Sequence, residues 1–157
     1  MNFLCPKHRM ELIQLSEDKI SDRWLEWMTK AAHLYQEKDW RKAASFAGCA
    51  MDLTSSALLR QDVNSRNLAT HATLASIYTI NLLQHQREVK SAEIFCDVFC
   101  QRMQIATYAT DAEDWAKSCI KIVNNPEAYE TFFNDYLAFP FEKAPAFTAT
   151  SCASALH

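Results

Sequence analysis

Apolar residues along the chain recur at three- and four-residue steps, the spacing of one face of an α-helix. The first stripe lies between residues 20 and 37 and consists of Ile20, Trp24, Trp27, Met28, Ala31, Leu34 and Tyr35. Ser16 or Ser21 is placed to cap this helix, because a short hydroxyl accepts from the unpaired amides of a first turn. Asp39 is suited to cap the next helix, whose inward residues are Ala43, Phe46, Ala47, Ala50, Met51, Leu53, Ala57 and Leu58. Turn and cap residues from Gln61 to Ser65 precede a third helix over 67–85, with Leu68, Ala72, Ala75, Tyr78, Thr79 and Leu82 on one face. A short break then leads into a fourth helix over 88–105, striped by Ala92, Phe95, Cys96, Phe99, Cys100 and Met103. So short a break between long helices makes them antiparallel neighbours. Asp111 predicts the cap of a fifth helix through Val123. Asn125-Pro126 supplies a cap and a first-turn proline for a sixth, to Leu137. Residues 1–16 read as an N-terminal arm with a short helix over 7–15, residues 17–138 as the helical domain, and residues 139–157 as a tail. The tail is poor in charge and carries Phe139, Phe141 and Phe147.

Composition narrows the function classes. The chain has 157 residues and one glycine, Gly48. No glycine-rich phosphate loop can be written with one glycine, and hairpins built on positive-φ turns are disfavoured. The expected fold is therefore all-α, with about six antiparallel helices. Gly48 falls inside a helix, where it costs about 1 kcal/mol against alanine; a close helix crossing is the expected reason. The net charge is −3, from 16 basic and 19 acidic residues, which lacks the basic excess of a duplex nucleic-acid binder. No apolar run is long enough to span a membrane, and the first fifteen residues do not read as a signal peptide. The six cysteines, at 5, 49, 96, 100, 119 and 152, are then expected as free thiols in a reducing cytoplasm.

Few constellations suggest reactive chemistry. Cys5-Pro-Lys-His8 has a spacing that brings a thiolate and an imidazole to one metal, and Cys96 and Cys100 share a helix face. Together they would make a metal or redox site if the arm folded back; otherwise Cys96 and Cys100 are core residues and Cys5-Pro6 anchors the arm. His71 and His85, about 21 Å apart along one helix, cannot share an ion. Glu17, Asp18 and Asp111 are ordinary first-turn acids, and Glu113 and Asp114 point to different sides of their helix. No residue set supports an enzyme, and no cofactor is expected. Arg60, Arg66, Arg87, Lys90 and Arg102 are scattered over helix ends and read as solvated, or as a basic rim on a groove.

An internal repeat is visible. Trp27, Ala31, Leu34, Trp40, Ala43, Ala47 and Ala50 are separated by 4, 3, 6, 3, 4 and 3 residues, and Ala92, Cys96 and Phe99 repeat Ala43, Ala47 and Ala50 at a shift of 49. The stretch AAHLYQEKDWRKAASFAGCA resembles a tetratricopeptide (TPR) unit, in which small residues let two helix backbones approach. A generic up-and-down bundle is the alternative. The resemblance implies that Leu25, Met28, Ala32, Tyr35 and Gln36 line a concave groove. Trp40 adjoins that face, and Tyr78, Asn81 and the neighbourhood of His85 would extend it on the second hairpin. The implied function is non-catalytic binding of another protein or a peptide segment, as an adaptor, chaperone or regulator. Homo-oligomerisation is the first alternative. Met28 and Tyr35 could equally be core residues covered by the arm or another helix. The tail is expected to dock on the groove of its own chain or of a neighbour's.

Overall fold

The structure, a computed structural model, describes residues 3–145; Phe147 and Cys152 lie outside the described residues. The chain forms α1 (Pro6–Leu12), α2 (Glu17–Gln36), α3 (Trp40–Ala57), α4 (Ser65–His85), α5 (Val89–Ala109), α6 (Glu113–Val123) and α7 (Tyr129–Tyr136), with a 3-10 turn at Pro126–Ala128 and no strand among the described residues. The all-α expectation holds.

Local chemistry explains most of the boundaries. Ser16 Oγ accepts from the Lys19 amide at 3.4 Å, Asp39 Oδ1 from Lys42 at 3.3 Å, and Asn64 Oδ1 from Asn67 at 3.0 Å. Asp111 does not cap α6. The chain is extended at Thr110 (φ −133°, ψ 167°), and the Thr110 hydroxyl accepts from the Ala112 amide at 3.3 Å. Ala112 therefore takes the cap position, without a side-chain bond. Asn125 makes no side-chain cap either, and a 3-10 turn intervenes before α7.

The two long hairpins, α2–α3 and α4–α5, are closed by the same turn. Lys38 (φ 59°) and Arg87 (φ 64°) both adopt the left-handed conformation. Lys38 N–H donates to Tyr35 and Asp39 N–H to Leu34; Arg87 N–H donates to Gln84 and Glu88 N–H to Leu83, all within 2.9–3.0 Å. This double bond pattern is a Schellman closure, in which a left-handed residue satisfies the last helix carbonyls. A side chain in that conformation is strained by about 1 kcal/mol, which glycine avoids. Lys38→Gly is therefore expected to raise the unfolding free energy by about 1 kcal/mol, or roughly 2–4 °C in thermal midpoint. A midpoint at or below wild type in a calorimetric scan would refute the strain argument.

α4 is the centre of the domain. It packs against α3 most extensively, and also against α2, α5, α6 and α7. Every residue from Ala72 to Leu83 is buried, as for a helix enclosed on all sides. Its threonines satisfy their own hydroxyls: Thr73 donates to the Ala69 carbonyl and Thr79 to that of Ala75, each at 2.7 Å. The small residues Ala43, Ala44, Ala47, Gly48 and Ala50 make up much of the buried surface of α3. No helix of the described residues is long and apolar enough to cross a membrane.

Gly48 has a different cause from the helix crossing expected of it. A Cβ built there would lie 2.5 Å from the Phe3 ring. The arm, not another helix, occupies the space that glycine leaves. Phe3 also packs edge-on against Phe95, with centroids 5.7 Å apart. Asp52 of α3 anchors the same segment: its Oδ2 accepts from the amides of Phe3 and Leu4 at 2.9 Å each. Arg9 (3.5 Å) and Arg102 (2.7 Å) pair with the same carboxylate, and Arg102 also donates to Ser55 Oγ at 2.8 Å. Arg60 donates to the Ile13 carbonyl at 2.7 Å and to that of Leu15. Arg60 and Arg102 are therefore staples between segments and not solvated charges.

Candidate functional site

The last turns of α2 and α4 bring aromatic and amide side chains together. Tyr35 of α2 stacks flat on Tyr78 of α4, with centroids 5.0 Å apart and an interplanar angle of 1°. Tyr78 stacks in turn on Phe133 of α7 at 4.7 Å. Trp40, at the start of α3, meets Tyr35 edge-on at 5.0 Å and stacks on His85 at 4.3 Å. Asn81 lies one turn beyond Tyr78 and accepts the Tyr35 hydroxyl proton at 2.6 Å.

The segment that follows α7 lies on this surface. The Phe141 ring stacks on Tyr78 at 6.2 Å and tilts against Phe133 at 5.0 Å. The Tyr78 hydroxyl donates to the Pro140 carbonyl at 2.8 Å. Both backbone groups of Glu142 are taken: its N–H donates to the Tyr35 hydroxyl at 2.8 Å, and its carbonyl accepts from Asn81 Nδ2 at 2.8 Å and from His85 Nε2 at 3.0 Å. A carbonyl only accepts, so this contact assigns the imidazole proton to Nε2. Burial pushes the Tyr35 phenol up to about 12, and burial pushes that of Tyr78 higher still. Both hydroxyls therefore keep their protons at neutral pH, as donation to Asn81 and Pro140 requires. The tail docks on its own chain through residues 139–142, as the sequence reading allowed.

Of the six residues expected to line the groove, Tyr35 and Trp40 lie in this cluster, and Tyr35 is also a core residue, 2% exposed. Met28 and Ala32 are buried in the core, while Leu25, 49% exposed, and Gln36 face solvent. Tyr78, Asn81 and His85 of the second hairpin lie against Tyr35. Phe133 is not among the expected site residues, although Tyr129, Phe133 and Tyr136 recur along α7 at four- and three-residue steps.

Two other places hold unusual chemistry. Trp24, Arg66, Thr70, His71, Trp115 and Tyr136 are among the residues lining a cleft of about 420 Å³. Arg66 lies over the Trp115 ring at 4.5 Å, and Trp24 stacks on His71 at 4.2 Å. His71 Nδ1 is buried without a partner. Burial pushes the His71 imidazole down from 6.5 to about 4. The folded chain thus holds it neutral, while the unfolded chain binds a proton below pH 6.5. Stability therefore rises with pH between about 4 and 6.5 and is lost on acidification through that window. His71→Phe, which keeps the stack on Trp24, is expected to flatten the urea-midpoint profile across that range. Parallel profiles for the two proteins would refute the assignment.

Cys96 and Cys100 share Asn124, whose Nδ2 donates to Cys100 Sγ at 3.5 Å. Hydrogen bonding from Cys96, and then from Asn124, lowers the Cys100 thiol below its ordinary value, while Cys96 is raised. Cys100 is thus expected to alkylate faster than buried Cys119 at neutral pH, and Asn124→Ala to slow it. Mass mapping after brief iodoacetamide treatment reads this directly. Cys5 is exposed and caps α1, its Sγ accepting from the His8 amide at 3.4 Å. Among the described residues no group of three or more His, Cys, Asp or Glu side chains is arranged to hold a metal ion, so Cys5, His8, Cys96 and Cys100 are not gathered into one site.

Comparison of the chain with family models, with curated proteins and with solved structures gave no match.

Proposed function

We propose that this chain is a non-catalytic, cytoplasmic protein-binding adaptor or regulator with TPR-like hairpins. Its working surface is the groove of Tyr35, Trp40, Tyr78, Asn81 and His85. One observation carries the reading: the groove engages both the N–H and the C=O of a single residue, Glu142. That is how a protein surface binds a peptide main chain, with neighbouring pockets left to select side chains. The stacked rings add apolar area at low side-chain entropy. The test is affinity capture with the full chain and with Asn81→Ala, helicity being checked in both. A stoichiometric partner lost with Asn81 supports the reading, and capture that is indifferent to Asn81 removes it.

A second reading is self-association, favoured by a different surface. On α5, Ile94, Val98, Gln101, Ile105 and Tyr108 are spaced 4, 3, 4 and 3 apart. Ile94, Ile105 and Tyr108 are 43%, 54% and 91% exposed. Such a seam suits a helix of a second copy. Light scattering on wild type beside Ile105→Glu separates the two readings.

A further inference from the structure

We infer that the groove's partner segment is a Pro-aromatic-x tripeptide, chemically a copy of Pro140-Phe141-Glu142, and that the chain's own segment competes with it. This rests on the adaptor reading and specifies the ligand. Each position of the bound segment shows what is selected. At the first, the Tyr78 hydroxyl takes the carbonyl of Pro140. Proline has no N–H to leave unpaired, and it biases the residue before it toward extended backbone. Its fixed φ also lowers the ordering cost of binding. At the second, the ring of Phe141 lies against Tyr78 and Phe133, and ring-on-ring packing favours an aromatic side chain there over an aliphatic one. At the third, only the main chain is held: Glu142 is exposed, and its backbone groups take Tyr35, Asn81 and His85. The side chain there is free to vary.

The competition follows from connectivity. α7 ends at Tyr136, and Leu137 is already extended (φ −132°, ψ 134°). Only a few residues then separate the helix from Pro140, so the segment meets the groove at an effective concentration of roughly millimolar. A free ligand of the same chemistry sees only the fraction of molecules whose groove is open, and its apparent affinity falls by that fraction.

The test uses a fluorescent, end-blocked peptide copying residues 137–144, titrated by anisotropy into the full-length wild type and two full-length variants. Phe141→Ala removes the ring of the resident segment. Glu142→Pro removes its N–H at an exposed position, where folding is not at stake. Both variants are expected to bind the peptide about tenfold or more tightly than wild type. A peptide with alanine at its Phe141 position is expected to lose at least that much on either variant, and one with glutamine at its Glu142 position to bind unchanged. Equal binding of a scrambled peptide, or no gain in either variant, overturns the inference. If no gain is seen while affinity capture still yields a partner that depends on Asn81, the adaptor reading stands and the ligand chemistry is wrong. If both fail, neither survives.

Discussion

Replacing Asp52 by alanine is expected to destabilise the fold by about 3 kcal/mol, the lower end of the range for breaking a buried ion pair. The lower end applies because the partners are not sealed off. The Asp52 side chain is 1% exposed, but those of Arg9 and Arg102 are 22% and 19% exposed. Alanine would leave the Phe3 and Leu4 amides without their acceptor and two guanidinium groups without their shared carboxylate. For a chain of this length the thermal midpoint should fall by roughly 6–12 °C. Asp52→Asn still offers an oxygen to the amides and should lie between alanine and wild type. Asp52→Leu combined with Arg102→Met should recover part of the loss, since an apolar replacement leaves fewer charges unpaired. Urea titrations of the four proteins measure all of this. An alanine variant within 1 kcal/mol of wild type would mean that the arm is not held through this carboxylate.

Tyr78→Ala should be at least as costly, at about 3–5 kcal/mol. The ring is fully buried between Tyr35 and Phe133, on the helix that contacts most of the others. Truncation removes the ring's transfer free energy and leaves a cavity with rigid walls. Tyr78→Phe keeps the ring and loses only the bond to the Pro140 carbonyl, worth about 1 kcal/mol. The pair separates two roles of one residue. Alanine should lower the urea midpoint strongly. Phenylalanine should lower it by only the equivalent of about 1 kcal/mol, yet loosen residues 139–142, seen as faster amide exchange at Glu142. Equal midpoint losses in both variants would show that the hydroxyl, and not the ring, carries the stability.

The long helices and the caps at Ser16 and Asp39 were legible because their causes lie within four residues, whereas the caps expected of Asp111 and Asn125 are not made. Ser16, Asp39 and the tight break between α4 and α5 are local facts. Asp52 was not legible: its partners Leu4, Arg9 and Arg102 lie 48, 43 and 50 positions away. In the sequence it is only one acid among apolar neighbours. Gly48 could be flagged as costly, but nothing local identifies the Phe3 ring as what needs the space. The candidate site was half legible. Aromatic crowding drew attention to Tyr35 and Trp40, and the repeat to Tyr78, Asn81 and His85. Met28, Ala32 and Tyr35 share a helix and are all buried, and the Tyr35 hydroxyl reaches Glu142. Which side of a helical stripe faces a partner is decided by how the hairpins pack, which no single helix encodes. The placing of Phe133 depends on how α7 returns to α4, and the docking of Phe141 on the path of the chain after α7.

The matched turns at Lys38 and Arg87 bear on the shape of any longer assembly of this kind. Glu37 and Gln86, just before them, have φ/ψ of −77°/−4° and −79°/−3°, and Asp39 and Glu88, just after, have −86°/72° and −86°/61°. Equal torsions carry the second helix of each pair away from the first by the same rigid movement. Applied again, that movement would keep generating hairpins with a single handedness, like steps of a spiral stair. It is not repeated after α6, where Asn125 (φ −121°, ψ 87°) stands in place of a left-handed residue and none follows among the described residues. α6 packs on α4 and α5, a 3-10 turn leads into the short α7, and the stair ends after two steps.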